Sequence, residues 1–291
     1  MHTIYWYLLV LLSSVLMGVA TIVEKFSLKI EHATAFSSAL APLVTLFSLV
    51  FLPWANFDVS AQQLAILIAL GALNAYVFLL SARVFKHGEI SIASPAFSSL
   101  PTLFVVLLAF PFLGEVLSPF QYIVIAAMIL ATYMLVFRVK KSAAPGFDSN
   151  KYRYMIVFYS VLSAVGTIIS RYLLISMNPY TFLILTGIFM SASYTILITV
   201  RYGGVKEIVS SLKMYKLPLV AQAILTLGYR ATYFVALTVA PVSLAQPLRN
   251  TFYVVITVVF AGSLFNEKGI VKKLALALML VFFAYLLTLN I

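Results

Sequence analysis

Residues 91–115, SIASPAFSSLPTLFVVLLAFPFLGE, return in altered form at 243–267 as SLAQPLRNTFYVVITVVFAGSLFNE. Ser91/Ser243, Ala93/Ala245, Pro95/Pro247, Phe112/Leu264 and Glu115/Glu267 stand in register. A shorter stretch, ATIVEKFSL (20–28), pairs in the same way with GTIISRYLL (166–174). The chain reads as one design used twice, and the nature of the repeated unit decides the fold.

Each copy contains an apolar run of about twenty residues, enough to cross a hydrocarbon core roughly 30 Å thick. Such runs fill the chain, at approximately 4–23, 34–54, 62–82, 91–112, 119–137, 154–175, 179–200, 217–239, 242–264 and 270–290. Only 9% of the 291 residues are charged and the mean hydropathy is +1.08, whereas a soluble chain carries about a quarter charged residues. Short connections leave no room for a soluble domain. Inside a bilayer the backbone must satisfy its own hydrogen bonds, and the alternation of a membrane barrel is absent. The expected fold is therefore all-α and integral to the membrane, with ten transmembrane helices.

The longest charged connection, RVKKSAAPGFDSNKYR (138–153), separates a first repeat, 1–137, from a second, 154–291. Five helices per repeat is an odd number, so the second half sits upside down relative to the first. Two inverted five-helix repeats with a site between them near the midplane are an architecture of secondary transporters.

A formal net charge of +11 suggests nucleic acid, but the position of the charges argues against it. Sixteen Lys and Arg residues follow odd-numbered spans, from Lys25 and Lys29 to Lys272 and Lys273, against Arg171 alone after even-numbered ones. By the positive-inside rule the odd loops are cytosolic and both termini lie outside, in a cell (inner) membrane. The N-terminus, MHTIYWYLL, lacks a basic n-region and reads as the first span rather than a removed signal. The absence of cysteine excludes disulfides and thiolate metal sites.

S-x-A-x-P opening a helix that closes on F-L-G-E (112–115), used twice within ten spans, resembles the EamA-like branch of the drug/metabolite transporter superfamily. YFVALTVAPVSLAQPL (233–248) is similar to that family's junction between the third and fourth helices of a repeat. The resemblance implies transport of a small organic solute, with export as the family tendency and amino acids, nucleotides, vitamins, sugars or toxic compounds as cargo. TIVEKFS (21–27) is also similar to the small multidrug resistance proteins. Those proteins carry a membrane carboxylate eight residues before the matching lysine, where this chain has Met17 and, in its second half, Ser163. Uniport or exchange is accordingly expected ahead of proton antiport.

The three histidines, His2, His32 and His87, lack metal-ligand spacing, and neither a G-x-S-x-G elbow nor a phosphate-binding P-loop is present. Neither enzymatic activity, a cofactor nor a metal ion is expected. Ionisable groups inside the membrane carry the sharpest signal, because they are costly there and face an interior or a wet cavity. Arg230 falls near the middle of the eighth span, and Arg249 roughly 10 Å inside the ninth. Gln246, Arg249, Asn250, Tyr253 and Thr257 share one helical face, and Thr226, Arg230 and Tyr233 share another. The first half supplies Asn74, Ser81, Ser94, Ser98 and Thr102, polar but uncharged.

Three readings of the arginines stay open: snorkelling to the interface, a helix lock on backbone carbonyls, or guanidinium forks for an anionic group. On the last, the substrate-binding set is Arg230, Arg249, Asn250, Gln246, Tyr233, Tyr253, Asn74, Ser94 and Ser98. Pro95, Pro101 and Pro247 each remove a backbone hydrogen bond from a helix and are candidate hinges. Lys25 and Arg171 occupy equivalent positions and read as interfacial anchors. Glu24 falls past the first apolar run and is expected to pair locally. Glu115 and Glu267 close helices and are expected to cap the start of the next one. Trp6 and Trp54 read as belt residues at span ends, while Tyr229, Tyr233 and Tyr253 stand close enough to the arginines to wall a pocket.

The expected partners are a small-molecule substrate and the lipid bilayer, without nucleic acid. The expected activity is alternating-access transport of an amino acid or a related solute carrying carboxylate or phosphate. A flippase for an anionic lipid headgroup and a non-transporting scaffold or sensor are the alternatives.

Overall fold

The computed structural model describes residues 2–28, 33–87, 90–138, 149–201, 216–265 and, beyond these, 275–276, 278–279, 282–283 and 286. Among them the secondary structure is helical throughout: α1 (His2–Leu28), α2 (Ala33–Ser48) prolonged by a 3-10 turn (Leu49–Trp54), α3 (Ala61–His87), α4 (Ile90–Leu113), α5 (Pro119–Arg138), α6 (Ser149–Leu174), α7 (Pro179–Arg201), α8 (Lys216–Leu237) and α9 (Val242–Phe265). Seven of these helices (α1, α2 with its 3-10 turn, α3, α4, α6, α7 and α8) are long and apolar enough to cross a membrane. The described positions of the predicted span 270–290 are helical, while Glu267 and most of the basic connection lie outside the described residues.

Local chemistry sets the helix ends. Ser60 with Gln63 and Ser118 with Gln121 exchange side-chain and backbone hydrogen bonds as reciprocal caps of α3 and α5. The Asn178 side-chain oxygen accepts the Tyr180 and Thr181 amides at the start of α7, where Pro179 takes the first helical position. Within the spans, hydroxyl groups satisfy themselves on the carbonyl four residues back, as Ser14 does on Val10, Thr21 on Met17 and Ser160 on Ile156. Polar residues are thereby tolerated without water.

The main packing partners of α1–α4 all lie beyond residue 149. α1 packs on α8 and α9, α2 on α7 and α8, α3 on α6 and α7, and α4 on α6 and α9, while α5 lies against α4. At the α3–α7 crossing a Cβ on Gly71 would stand 2.4 Å from Phe189 Cβ, so only glycine permits this approach. Large apolar side chains such as Leu107, Phe110 and Ile123 remain exposed on the outer surface, as a bilayer requires. Trp54 is 61% exposed, in keeping with a belt position, but Trp6 is buried and stacks on Tyr7. The correction arises because α1 is central: its covering helices come from the far half of the chain.

Candidate functional site

Six helices, α1, α3, α4, α6, α8 and α9, converge on an internal cavity of about 80 Å³. Its walls are largely aromatic, from Phe78, Phe85, Phe97, Tyr159, Tyr229 and Tyr253, with Thr21, Glu24, Ser81 and Gln222 among its polar positions. Glu24 and Phe85 come from the ends of α1 and α3, and Phe97 and Gln222 from the early turns of α4 and α8. The cavity therefore lies towards the end of the bundle where the odd-numbered connections emerge.

Glu24 departs from its expected place. The first helix continues to Leu28, and Glu24 is 4% exposed inside the bundle, with Oε1 lacking any hydrogen-bond partner. Its apolar neighbours end near residue 23, which hides it from a search for apolar runs. Helical spacing is the signal that finds it: Met17, Thr21 and Glu24 fall at i, i+4 and i+7, one face of α1. Gln222 Oε1, Thr226 Oγ1 and Ser94 Oγ are likewise buried without partners, a concentration of unmet polar atoms that a packed core avoids.

The two arginines flank the cavity rather than line it. Arg230 follows the lining residue Tyr229, and both its terminal nitrogens point at Met190 Sδ at 3.7 Å, a weak acceptor. Arg249 stands one turn before Tyr253 and lays its guanidinium 3.7 Å above the Tyr233 ring. Tyr233 in turn donates its hydroxyl to Gln246 Oε1 at 2.5 Å. Neither arginine has an acidic partner among the described residues, and Arg249 Nε is buried and unbonded.

The remaining predicted residues form the surrounding frame. The polar face of α9 is buried, from Gln246 through Asn250 and Tyr253 to Thr257. Asn250 donates from Nδ2 to Ser98 O at 3.0 Å and to Thr102 Oγ1 at 2.8 Å, tying α9 to α4. Asn74 sits half-buried, with its Oδ1 3.4 Å from where a Cβ on Gly166 would be, at the α3–α6 crossing. Both α4 and α9 run unbroken through Pro95, Pro101 and Pro247.

A sequence profile of the EamA-like transporter family matches residues 4–137. Over its first half, this chain is similar to the EamA-like transporter family. Among curated proteins none matches the sequence. In fold, 28 chains of solved structures match. One, the crystal structure of a protein, superposes with a TM-score of 0.69 at 14% identity, covering 96% of this chain and 95% of that one. The fold is thus shared along nearly the whole length.

The F-L-G-E ending of this EamA-like half has a definite task. Gly114 has φ 67° and closes α4 with its amide on Phe110 O, the left-handed cap that glycine permits. The chain then turns so that the Glu115 carboxylate meets the start of α9, not of α5. It accepts the Val242 and Ser243 amides at 2.9 Å and the Ser243 hydroxyl at 2.6 Å. Capping was the expected role; the capped helix is 127 residues away instead of the next one. Arg171 Nε lies 3.6 Å from the same carboxylate, and its guanidinium also donates to Leu237 O at the end of α8. At the other end of the bundle Lys25 Nζ donates to Phe85 O at 2.5 Å, at the end of α3. The two cations expected to be interfacial anchors close helix C-termini, where positive charge is favoured.

Proposed function

We propose that the protein is a secondary transporter that moves a small organic solute bearing carboxylate or phosphate by alternating access, as uniport or exchange. An amino acid or a related metabolite is the substrate class that suits it, with export across the cell (inner) membrane as its direction. The observation that carries this reading is the internal cavity, which is walled by helices from both halves of the chain and has at its edge two arginines with no acidic partner among the described residues. Arginine holds its charge at any physiological pH and binds carboxylate or phosphate through a planar fork. Arg230 and Arg249 supply that fork, with Tyr233, Gln246, Tyr253, Asn250, Asn74, Ser94 and Ser98 as the polar frame that opens with it.

The architecture in this proposal is ten helices in two inverted repeats, 1–137 and 154–291, joined by 138–153. The helix packing supports it. If α1, α2, α3 and α4 are exchanged with α6, α7, α8 and α9, the pair α1–α8 becomes α6–α3, α1–α9 becomes α6–α4, and α2–α8 becomes α7–α3, all of which are packed pairs. α2–α7 and α4–α9 map onto themselves. With odd-numbered connections cytosolic, the cavity is nearer the inside and the Glu115–Arg171 cluster seals the outside. Pro95, Pro101 and Pro247 then lie in the helices that must flex.

The test is uptake into proteoliposomes of labelled amino acids, phosphorylated metabolites and lipids. Wild type is expected to move a carboxylate- or phosphate-bearing solute, and Arg230→Ala or Arg249→Ala to reduce that flux at least tenfold at normal expression. Unchanged flux in both variants would sink the arginine assignment. One observation bears on a flippase: an apolar groove of about 530 Å³ between α4 and α5, lined by Leu107, Ile125, Ile129 and their neighbours. It offers a lipid tail a place but a headgroup none, and lipid scrambling in the same vesicles decides it.

A further inference from the structure

The cavity's charged lining residue is an acid, not a base. A carboxyl group buried at 4% exposure with an unbonded Oε1 is costly as an anion, a cost that either a proton or a bound cation relieves. The surroundings indicate which. Phe85 and Phe97 meet edge to face at 5.2 Å, and Phe97 lies 4.1 Å from Tyr159, so three rings form a continuous wall beside Glu24. Tyr253 adds a further ring from α9. Aromatic faces with one carboxylate suit an organic ammonium, which is attracted by both. A hard metal ion is a poor match, since calcium needs about six to eight oxygens and these walls are mostly carbon. The volume, about 80 Å³, accommodates an ammonium head or about three waters at ~30 Å³ each.

We propose that Glu24 and the rings around it form a subsite for an organic ammonium group, making the transported solute a zwitterion. This rests on the transport reading above and adds the second pole to it. The carboxylate of the solute goes to the arginine side and its ammonium to Glu24. Tyr159 lines the cavity with Glu24 and feels the charge of both Glu24 and Arg249. The subsite discriminates against simple anions, which would meet Glu24 across the same cavity.

The experiment uses three probes on one carbon frame: alanine, ethylamine (alanine without its carboxylate) and propionate (alanine without its ammonium). Binding to the purified full-length protein is read from the rise in Tm with probe concentration, for wild type, Glu24→Gln and Glu24→Asp. Wild type is expected to bind alanine and ethylamine. Glu24→Gln, which is isosteric and removes a buried charge, is expected to fold normally, lose at least tenfold affinity for both, and bind propionate more tightly than wild type does. Glu24→Asp keeps the charge and is expected to retain part of the ethylamine affinity. The proposal is overturned if Glu24→Gln binds both amines as wild type does, if propionate is the sole probe bound, or if none binds. It is equally overturned if Glu24→Gln keeps alanine binding while losing pH-driven flux, which would make Glu24 a proton carrier. Failure of the arginine assignment looks different: alanine binding indifferent to Arg249→Ala, with ethylamine still dependent on Glu24.

Discussion

At Gly114 the φ of 67° is held by a residue with open space around it, so nothing but the backbone penalises a side chain there. Gly114→Ala is expected to cost about 1–2 kcal/mol from the left-handed conformation, read as a lower Tm in detergent. An unchanged Tm would mean that the turn reaches Glu115's position by another route. Single residues also show what a sequence conceals. Arg249 was legible as an expensive intramembrane charge, because cost depends on the residue and its depth alone. Its stacking on Tyr233 was not legible, since that needs the angle between α8 and α9. Glu24 was misread for the same reason. Whether a carboxylate just beyond an apolar run is wet or buried depends on which helices cover it, and α8 and α9 begin 192 and 218 residues away.

The helices themselves were readable, because twenty apolar residues in lipid have little choice but to coil. Helix-to-helix chemistry was the obscure part. Glu115 was recognisable as a capping group, yet its target at Val242 and Ser243 follows from packing rather than from proximity in sequence. This cluster joins α4, α6, α8 and α9 through two side chains that are 11% and 13% exposed. Glu115→Ala leaves Arg171 half-buried without its counter-charge and α9 without its cap. The expected loss is about 3 kcal/mol, the lower end for breaking a buried pair. Arg171→Met in the Glu115→Ala background is expected to recover part of it, because the orphaned charge goes as well. Additive losses in that double-mutant cycle would show that the two side chains act independently.

For the molecule as a whole, the proposed orientation rests on charge bias and is open to direct test, because the chain contains no cysteine. A single Asp58→Cys, exposed between α2 and α3, is expected to react with a membrane-impermeant maleimide on intact cells. Ser142→Cys, in the basic connection, is expected to react only after lysis, and the reverse pattern would invert the assignment. The proposed repeat rests at this scale on matching motifs, whereas the packing of α1–α4 on helices beyond residue 149 was not readable, for no local pattern records which helix packs against which. That packing has a consequence for biogenesis. Ribosomes add about 5–20 residues per second, so the first half spends on the order of ten seconds in the membrane before α6–α9 exist. During that interval the face of α1 that carries Glu24, and the face of α4 that carries Ser94 and Ser98, have no partner helices to cover them. Newly made chains must be kept from pairing those faces with the wrong neighbour, and the wait ends only when the last spans emerge.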